Sequence, residues 1–135
     1  MEETRKVALD TDVLIDFLRG KDKAVRFIRN FKNKGVLLAT TVINAFELYW
    51  GAYKFGGSRR TLTVDKLLDK LTILTMTVHE AKVAGEEIAY LEKVGLPIDV
   101  RDLLIGIIAR ENGYSVATGN ITHLSRIRGI SILKY

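Results

Sequence analysis

Short apolar runs alternate with amphipathic stretches along this chain. Val7 to Leu9 is a brief apolar run ending at Asp10, the pattern of a buried strand. Val13 to Leu18 reads as a helix stopped at Gly20, and Lys23 to Lys34 carries Ala24, Phe27, Ile28 and Phe31 at helical spacing. Val36 to Ala39 is a second strand, after which Thr40 or Thr41 caps a helix running to about Lys54. Phe55 to Arg60, with Gly56, Gly57 and Ser58, reads as a loop before a helix over Thr61 to Leu71. Thr72 to Met76 is a third strand, and Thr77 caps a long helix to Val94 that Gly95 and Pro97 close. The run Leu103 to Ala109 fits a buried strand or a helix by pattern alone. Acidic residues before it and Asn112-Gly113 after it suit the two ends of a helix dipole, so Asp99 to Asn112 is predicted helical. Ser115 to Thr118 and Ile130 to Leu133 complete five strands.

Strands separated by helices imply a parallel sheet covered on both faces. Ligands in such folds sit at the carboxyl ends of the strands. The 135 residues suit a single domain, residues 1–135. Hydrophobic residues make up 47% and charged residues 27%, a globular composition, and the absence of cysteine excludes disulfides, thiolate zinc sites and cysteine catalysis. No apolar run is long enough to span a bilayer, and Glu2, Glu3, Arg5 and Lys6 leave no room for a signal-peptide core, so no membrane association and a cytoplasmic location are expected. Twenty-one Lys and Arg against 16 Asp and Glu leave a net charge of +5, which permits a nucleic-acid partner.

The candidate chemistry lies in acidic residues with apolar neighbours. Asp10 ends a strand, with Thr11 and Asp12 beside it; any of the three could simply cap the next helix. Glu47 lies in Val42 to Gly51, apolar almost all round, where a lone carboxylate must be paired with an arginine or put to use. Asp99 and Asp102 share one face at the start of their helix, as cap and dipole complement or as ligands. Gly51 and Gly106, each one turn beyond Glu47 or Asp102, would clear space for a backbone or substrate. Thr118 and Asn120 stand at the end of another strand. Gathered at one sheet edge, these carboxylates would raise one another's pKa unless a cation bound, and an all-oxygen set suits Mg²⁺ or Mn²⁺.

These motifs together resemble PIN-domain proteins of the VapC kind, the toxin half of a toxin–antitoxin pair. The resemblance runs end to end. It rests on Leu9-Asp10-Thr11-Asp12-Val13-Leu14-Ile15-Asp16, on Glu47 in the helix opened by Thr41-Val42-Ile43, and on Gly95-Leu96-Pro97-Ile98. It continues through Asp102-Leu103-Leu104-Ile105-Gly106 and Ala117-Thr118-Gly119-Asn120-Ile121-Thr122-His123-Leu124. Departures are Asp12 for the family's usual asparagine, Gly119 for a larger residue, and Leu124 for an aromatic. The resemblance implies a three-layer α/β/α sandwich around a mainly parallel sheet and a Mg²⁺- or Mn²⁺-dependent endoribonuclease. Asp10, Glu47, Asp102 and Asn120 would be catalytic, the first three as metal ligands; Asp12, Thr11, Thr118 and Asp99, the last outside the family's core pattern, are candidates to support them. It also implies an RNA substrate, a homodimer and a small antitoxin partner.

The stretch Arg19 to Lys34 holds seven basic residues and one acid, Asp22. Arg19, Lys21 and Lys23, with Arg59 and Arg60 of the glycine segment, are RNA-binding candidates; a solvated helix face explains such a run equally. Core packing is the default for Phe46, Tyr49, Trp50 and Tyr53, but so many rings on one small domain's inner face suggest a partial exit to an interface. Neither His79 nor His123 has metal-ligand spacing. Two other readings remain open: a PIN-like module that binds RNA or protein without cutting, and a haloacid-dehalogenase-like phosphatase using Asp10 as nucleophile.

Overall fold

A computed structural model describes residues 5–135; Glu2 and Glu3 lie outside the described residues. Strand β1 (Lys6–Leu9) is followed by α1 (Thr11–Leu18) and α2 (Asp22–Asn33), then by β2 (Leu37–Thr41), α3 (Val42–Phe55) and α4 (Ser58–Asp69). Strand β3 (Thr72–Leu74), α5 (Val78–Lys93) and α6 (Val100–Glu111) lead to β4 (Ser115–Thr118), the short α7 (Ile121–Leu124) and β5 (Ile132–Lys134). The five strands form one parallel sheet in the order β3-β2-β1-β4-β5.

Alternation along the strands divides the core in two. Val7, Leu9 and Ala117 face one cluster, built with Val13, Leu14, Ile28, Leu48 and Leu67 from α1 to α4. Ala8, Ala39 and Val116 face the other, built with Leu91, Leu103, Ile107 and Ile108 from α5 and α6. This is the expected α/β/α sandwich. The chain moves to one side of β1 for β2 and β3, then crosses to its other side for β4 and β5. The crevice where that order reverses, between the carboxyl ends of β1 and β4, is the switch point at which such sheets bind ligands.

Local differences from the sequence pattern have physical causes. Strand β3 stops at Leu74, not Met76, because its partner β2 ends at Thr41, opposite Leu74. The expected loop from Phe55 to Arg60 shrinks to Gly56 and Gly57, whose φ angles of 85° and 102° turn the chain in two residues. Arg59 and Arg60 therefore belong to the first turn of α4, not to a loop. Helix α7 is one turn long, too short to show a period. Ile130 precedes β5 and packs with Ile127 against Gly106, where an added Cβ would lie 2.3 Å from the Ile127 Cδ1 and 3.0 Å from the Ile130 Cδ1. Gly106 thus admits the segment after α7, not a substrate; around Gly51 the space is open. Among the described residues no helix is long and apolar enough to cross a membrane.

That segment is also clamped electrostatically. The buried Glu87 carboxylate on α5 accepts from the Arg128 backbone N–H and from its Nε, both at 3.0 Å, while the Arg128 guanidinium lies 3.6 Å from the Tyr90 ring centroid. Burial pushes the Glu87 carboxyl up, but the Arg128 hydrogen bonds outweigh it and hold the group below its ordinary value. The contribution is therefore present above the unfolded pKa and is lost as pH falls through the folded one. Arg128→Ala is expected to lower the urea unfolding midpoint at neutral pH, with the loss shrinking in acid.

Candidate active site

Asp10 stands at the switch point because β1 ends there. Its backbone N–H donates to the Ala117 carbonyl of β4 at 3.0 Å, so the residue is fixed before its side chain is considered. The side chain is 6% exposed and accepts three hydrogen bonds. They come from the Thr11 N–H at 2.8 Å, Asn44 Nδ2 at 3.0 Å and Thr118 Oγ1 at 2.7 Å. Asp10 is thus the N-cap of α1 and also the point where α1, α3 and β4 meet. The capping reading of this residue is therefore realised, at the switch point where a functional role was expected.

Thr11 passes the network outward, accepting from Asn44 Nδ2 at 2.9 Å and donating to Glu47 Oε1 at 2.7 Å. Asn44 is itself held by Thr41, whose hydroxyl donates to its Oδ1 at 2.7 Å in the capping box that opens α3. On the far side of the crevice, Asn120 Nδ2 donates to Asp102 Oδ2 at 3.2 Å. The Asn120 amide oxygen faces His123 Nδ1 at 2.8 Å. An amide oxygen only accepts, so that histidine nitrogen carries the proton and keeps the Asn120 amide turned toward Asp102.

Each of the three carboxylates has its pKa raised by burial and by at least one neighbouring acid. Burial raises the Asp10 pKa against its three hydrogen bonds, and the Asp102 charge adds to the rise. Burial likewise raises Glu47 despite the Thr11 hydrogen bond, with both Asp10 and Asp102 contributing repulsion. Asp102 is raised by burial and by Asp99, partly offset by Asn120. The donor chemistry, carboxylates with the Asn120 amide beside them, fits a hard divalent cation. The spacing is looser: among the described residues no three acidic or histidine side chains stand close enough to hold a metal ion as they are placed. Asp10 and Glu47 are instead satisfied by protein donors and by Arg101.

The remaining predicted residues lie around this group. Thr118 is fully buried, donates to Asp10 and accepts from the Asn120 N–H at 2.9 Å. Asp12 accepts from the Val13 N–H and the Gly119 N–H, each at 2.8 Å, pinning the turn after β4. A Cβ on Gly119 would sit 2.8 Å from Asp12 Oδ2, so the two departures from the family pattern accommodate each other. Asp99 caps α6 by accepting from the Arg101 N–H at 2.9 Å, and its exposed carboxylate reaches the site only as charge.

The RNA-binding candidates are spread elsewhere. Lys21 pairs with Asp16 at 3.4 Å, and Lys23 Nζ lies 4.2 Å from the Tyr135 ring centroid. Arg19, Arg59 and Arg60 are exposed on α1 and α4 margins.

Asn44 and Arg101 join the site without having been singled out. Asn44 carried a signal, a polar residue one turn before Glu47 in an apolar helix. Arg101 carried none, since adjacency to Asp102 does not tell where a long side chain goes. Its NH1 lies 3.6 Å from Glu47 Oε2, which realises in loose form the arginine partner anticipated for Glu47.

Because the three folded-state pKa values lie above their unfolded ones, the folded chain binds more protons in the acid range. The carboxylates therefore cost stability that is absent below the ordinary carboxylate range and fully felt once pH exceeds the raised values. Asp102→Asn keeps an acceptor for Asn120 and removes one charge. It is expected to raise the metal-free Tm at pH 7 by roughly 3 °C, allowing for solvent screening, and to leave it unchanged near pH 3. Calorimetry at the two pH values checks this.

The PIN domain model matches residues 7–129. The tRNA(fMet)-specific endonuclease VapC of Salmonella typhimurium is 29% identical over 128 residues, spanning 94% of this chain and 96% of that protein. Ribonuclease VapC2 of Haemophilus influenzae is 28% identical over 123 residues, spanning 90% and 92%. Among solved structures, DNA-bound VapBC from Salmonella typhimurium superposes with a TM-score of 0.83 at 26% identity over 98% of both chains. VapBC2 from Rickettsia felis, bound to a promoter DNA fragment, gives 0.85 at 22% identity over 96% and 98%. With its model matched over nearly the whole length and the sheet order built around Asp10, the chain belongs to the PIN domain family.

Proposed function

We propose that this chain, acting as one domain, is a VapC-like endoribonuclease that hydrolyses RNA phosphodiester bonds at the Asp10, Glu47, Asp102 and Asn120 site. The observation that carries the reading is that β1, α3 and α6 bring three carboxylates to the switch point, each with its pKa raised by burial and by the charge of a nearby acid. Buried, mutually repelling carboxylates are what a divalent cation relieves. Asp10 and Asp102 would hold Mg²⁺ or Mn²⁺, with Glu47 reached directly or through water. Bound there, the ion supplies Lewis acidity toward a phosphate oxygen and a lowered pKa for water.

The protein's own part is positioning. Thr11, Asn44 and Thr118 hold the Asp10 carboxylate in one rotamer, so its free lone pairs keep one direction. His123 and Asn120 do the same for Asp102. Glu47 has one oxygen tied to Thr11 and the other only loosely paired with Arg101, which leaves that oxygen able to accept a proton from water. The products would carry a 5′ phosphate and a 3′ hydroxyl.

Names of relatives support a small antitoxin protein as partner, since the similar structures are VapBC complexes. Self-association is supported by Phe46, Trp50 and Tyr53, which stand 55%, 52% and 73% exposed along α3, more bare ring surface than one isolated helix face usually shows. Arg19 and the exposed lysines and arginines of α2 and α4 are proposed to steer RNA rather than to touch the reacting phosphate.

Asp10→Asn and Glu47→Gln are expected to lower Mn²⁺-dependent cleavage of a defined RNA by about 100-fold or more while circular dichroism stays unchanged. EDTA should abolish cleavage and Mn²⁺ restore it. Full activity in EDTA would sink the metal mechanism, and binding without cleavage under every metal would favour the non-catalytic alternative.

A further inference from the structure

Arg101 opens the first turn of α6, one residue before Asp102, and its side chain lies 42% exposed at the lip of the carboxylate crevice. Two carboxylates flank it. NH1 is 3.6 Å from Glu47 Oε2, and Nε is 3.5 Å from Asp99 Oδ1. Both separations exceed the roughly 2.7–2.9 Å of a charge-assisted hydrogen bond. The guanidinium is therefore attracted to both groups without being committed to either. Its carbon lies 5.4 Å from the Trp50 ring centroid, so the indole of α3 supports it.

A positive, planar, loosely paired fork beside a group of carboxylates answers a definite problem. The phosphate to be cut is an anion approaching a negative crevice. Lys21 and Lys23 are directed to Asp16 and Tyr135, while Arg101 lies against Glu47 itself. Its charge reaches both Glu47 and Asp102, opposing the rise in their pKa values. A guanidinium also matches phosphate oxygens two at a time, which an ammonium cannot do.

We propose that Arg101 is a substrate-binding residue: propped on Trp50, its guanidinium turns from Glu47 and Asp99 to a phosphate of the RNA strand adjoining the bond to be cut. The proposal rests on the ribonuclease reading above. It adds a phosphate subsite formed by α3 and α6 outside the carboxylate set.

The test compares wild type with Arg101→Ala, Arg101→Gln and Arg101→Lys, after thermal melts show that each is folded. Affinity for a fluorescent single-stranded RNA is measured by anisotropy in Ca²⁺ across a range of KCl. Cleavage is followed in Mn²⁺, Mn²⁺ affinity by calorimetry, and self-association by sedimentation. Removing one charge-assisted phosphate contact should weaken RNA binding and raise KM by about 10-fold, leaving kcat within a few-fold. The slope of log affinity against log salt should fall by roughly 0.7 in Arg101→Ala and Arg101→Gln, and Arg101→Lys should keep the slope while recovering part of the affinity.

Unchanged RNA affinity and slope in Arg101→Ala overturn the proposal. If Mn²⁺ then binds more tightly, the guanidinium is only an internal counter-ion for Glu47. If self-association is lost instead, the Trp50 face belongs to a protein partner. A wild-type chain that neither binds nor cuts RNA overturns the ribonuclease reading and this one with it. Wild-type cleavage alongside an unaltered Arg101→Ala overturns this one alone.

Discussion

The structure depends on one buried carboxylate at the end of its central strand. Asp10 follows β1, the strand from which the sheet grows in both directions, and it accepts donors from α1, α3 and β4. A nearly buried carboxylate without such donors would cost several kcal/mol, on the order expected for an unpaired interior charge. Thr118 ties it to the strand on one side, and Asn44 ties it to the helix entering from the other. Asn44 can do so because the Thr41 hydroxyl fixes its amide, and Thr41 is where β2 turns into α3. The proposed metal ligand and a structural joint are here the same residue.

That arrangement carries an electrostatic debt. Asp10, Glu47 and Asp102 come from three separate elements, and each is raised by burial and by its neighbours' charge. The hydrogen bonds that hold them offset the strain only in part. A site in this condition favours any cation that can enter, and Arg101 occupies that position loosely in the chain itself. The basic excess has its meaning in this context. Assigning Asp10, Asp12, Glu47, Asp99 and Asp102 to one crevice and its rim leaves eleven acids against 21 basic residues over the rest of the molecule. An acidic hole in a basic body suits the proposed meeting of an RNA strand and a divalent ion.

Small residues serve different ends around this site. Gly106 makes room for Ile127 and Ile130, so the chain after α7 can pack under α6 while Glu87 and Arg128 hold it from α5. Gly119 makes room for the Asp12 carboxylate, and its N–H satisfies that carboxylate. Asp12 and Gly119 sit 107 positions apart yet form one contact. The exposed rings of α3 follow a third logic. Leu48 and Ala52 bury one face of that helix, and Phe46, Trp50 and Tyr53 face outward.

Much of this was legible along the chain because it is written in local patterns. Apolar runs ending at Asp10 and Thr118, caps at Thr41 and Thr77, and the glycines after most of the helices marked the alternation of strand and helix; that alternation entails a covered parallel sheet. The acidic residues in apolar surroundings, Asp10, Glu47 and Asp102, were marked by the cost of burying charge. Tertiary structure alone decided how they meet. Strand order placed β4 against β1, which brought Thr118 and Asn120 to the same crevice as Asp10. Side-chain direction decided that Asn44 bridges, that His123 orients Asn120, that Gly106 serves packing, and that Arg101 leans on Trp50. The physical reason is one of range. Propensity, capping and hydrophobic period act over a turn or a strand and can be read residue by residue, whereas hydrogen bonds and charges between residues tens of positions apart exist only once the sheet has ordered them.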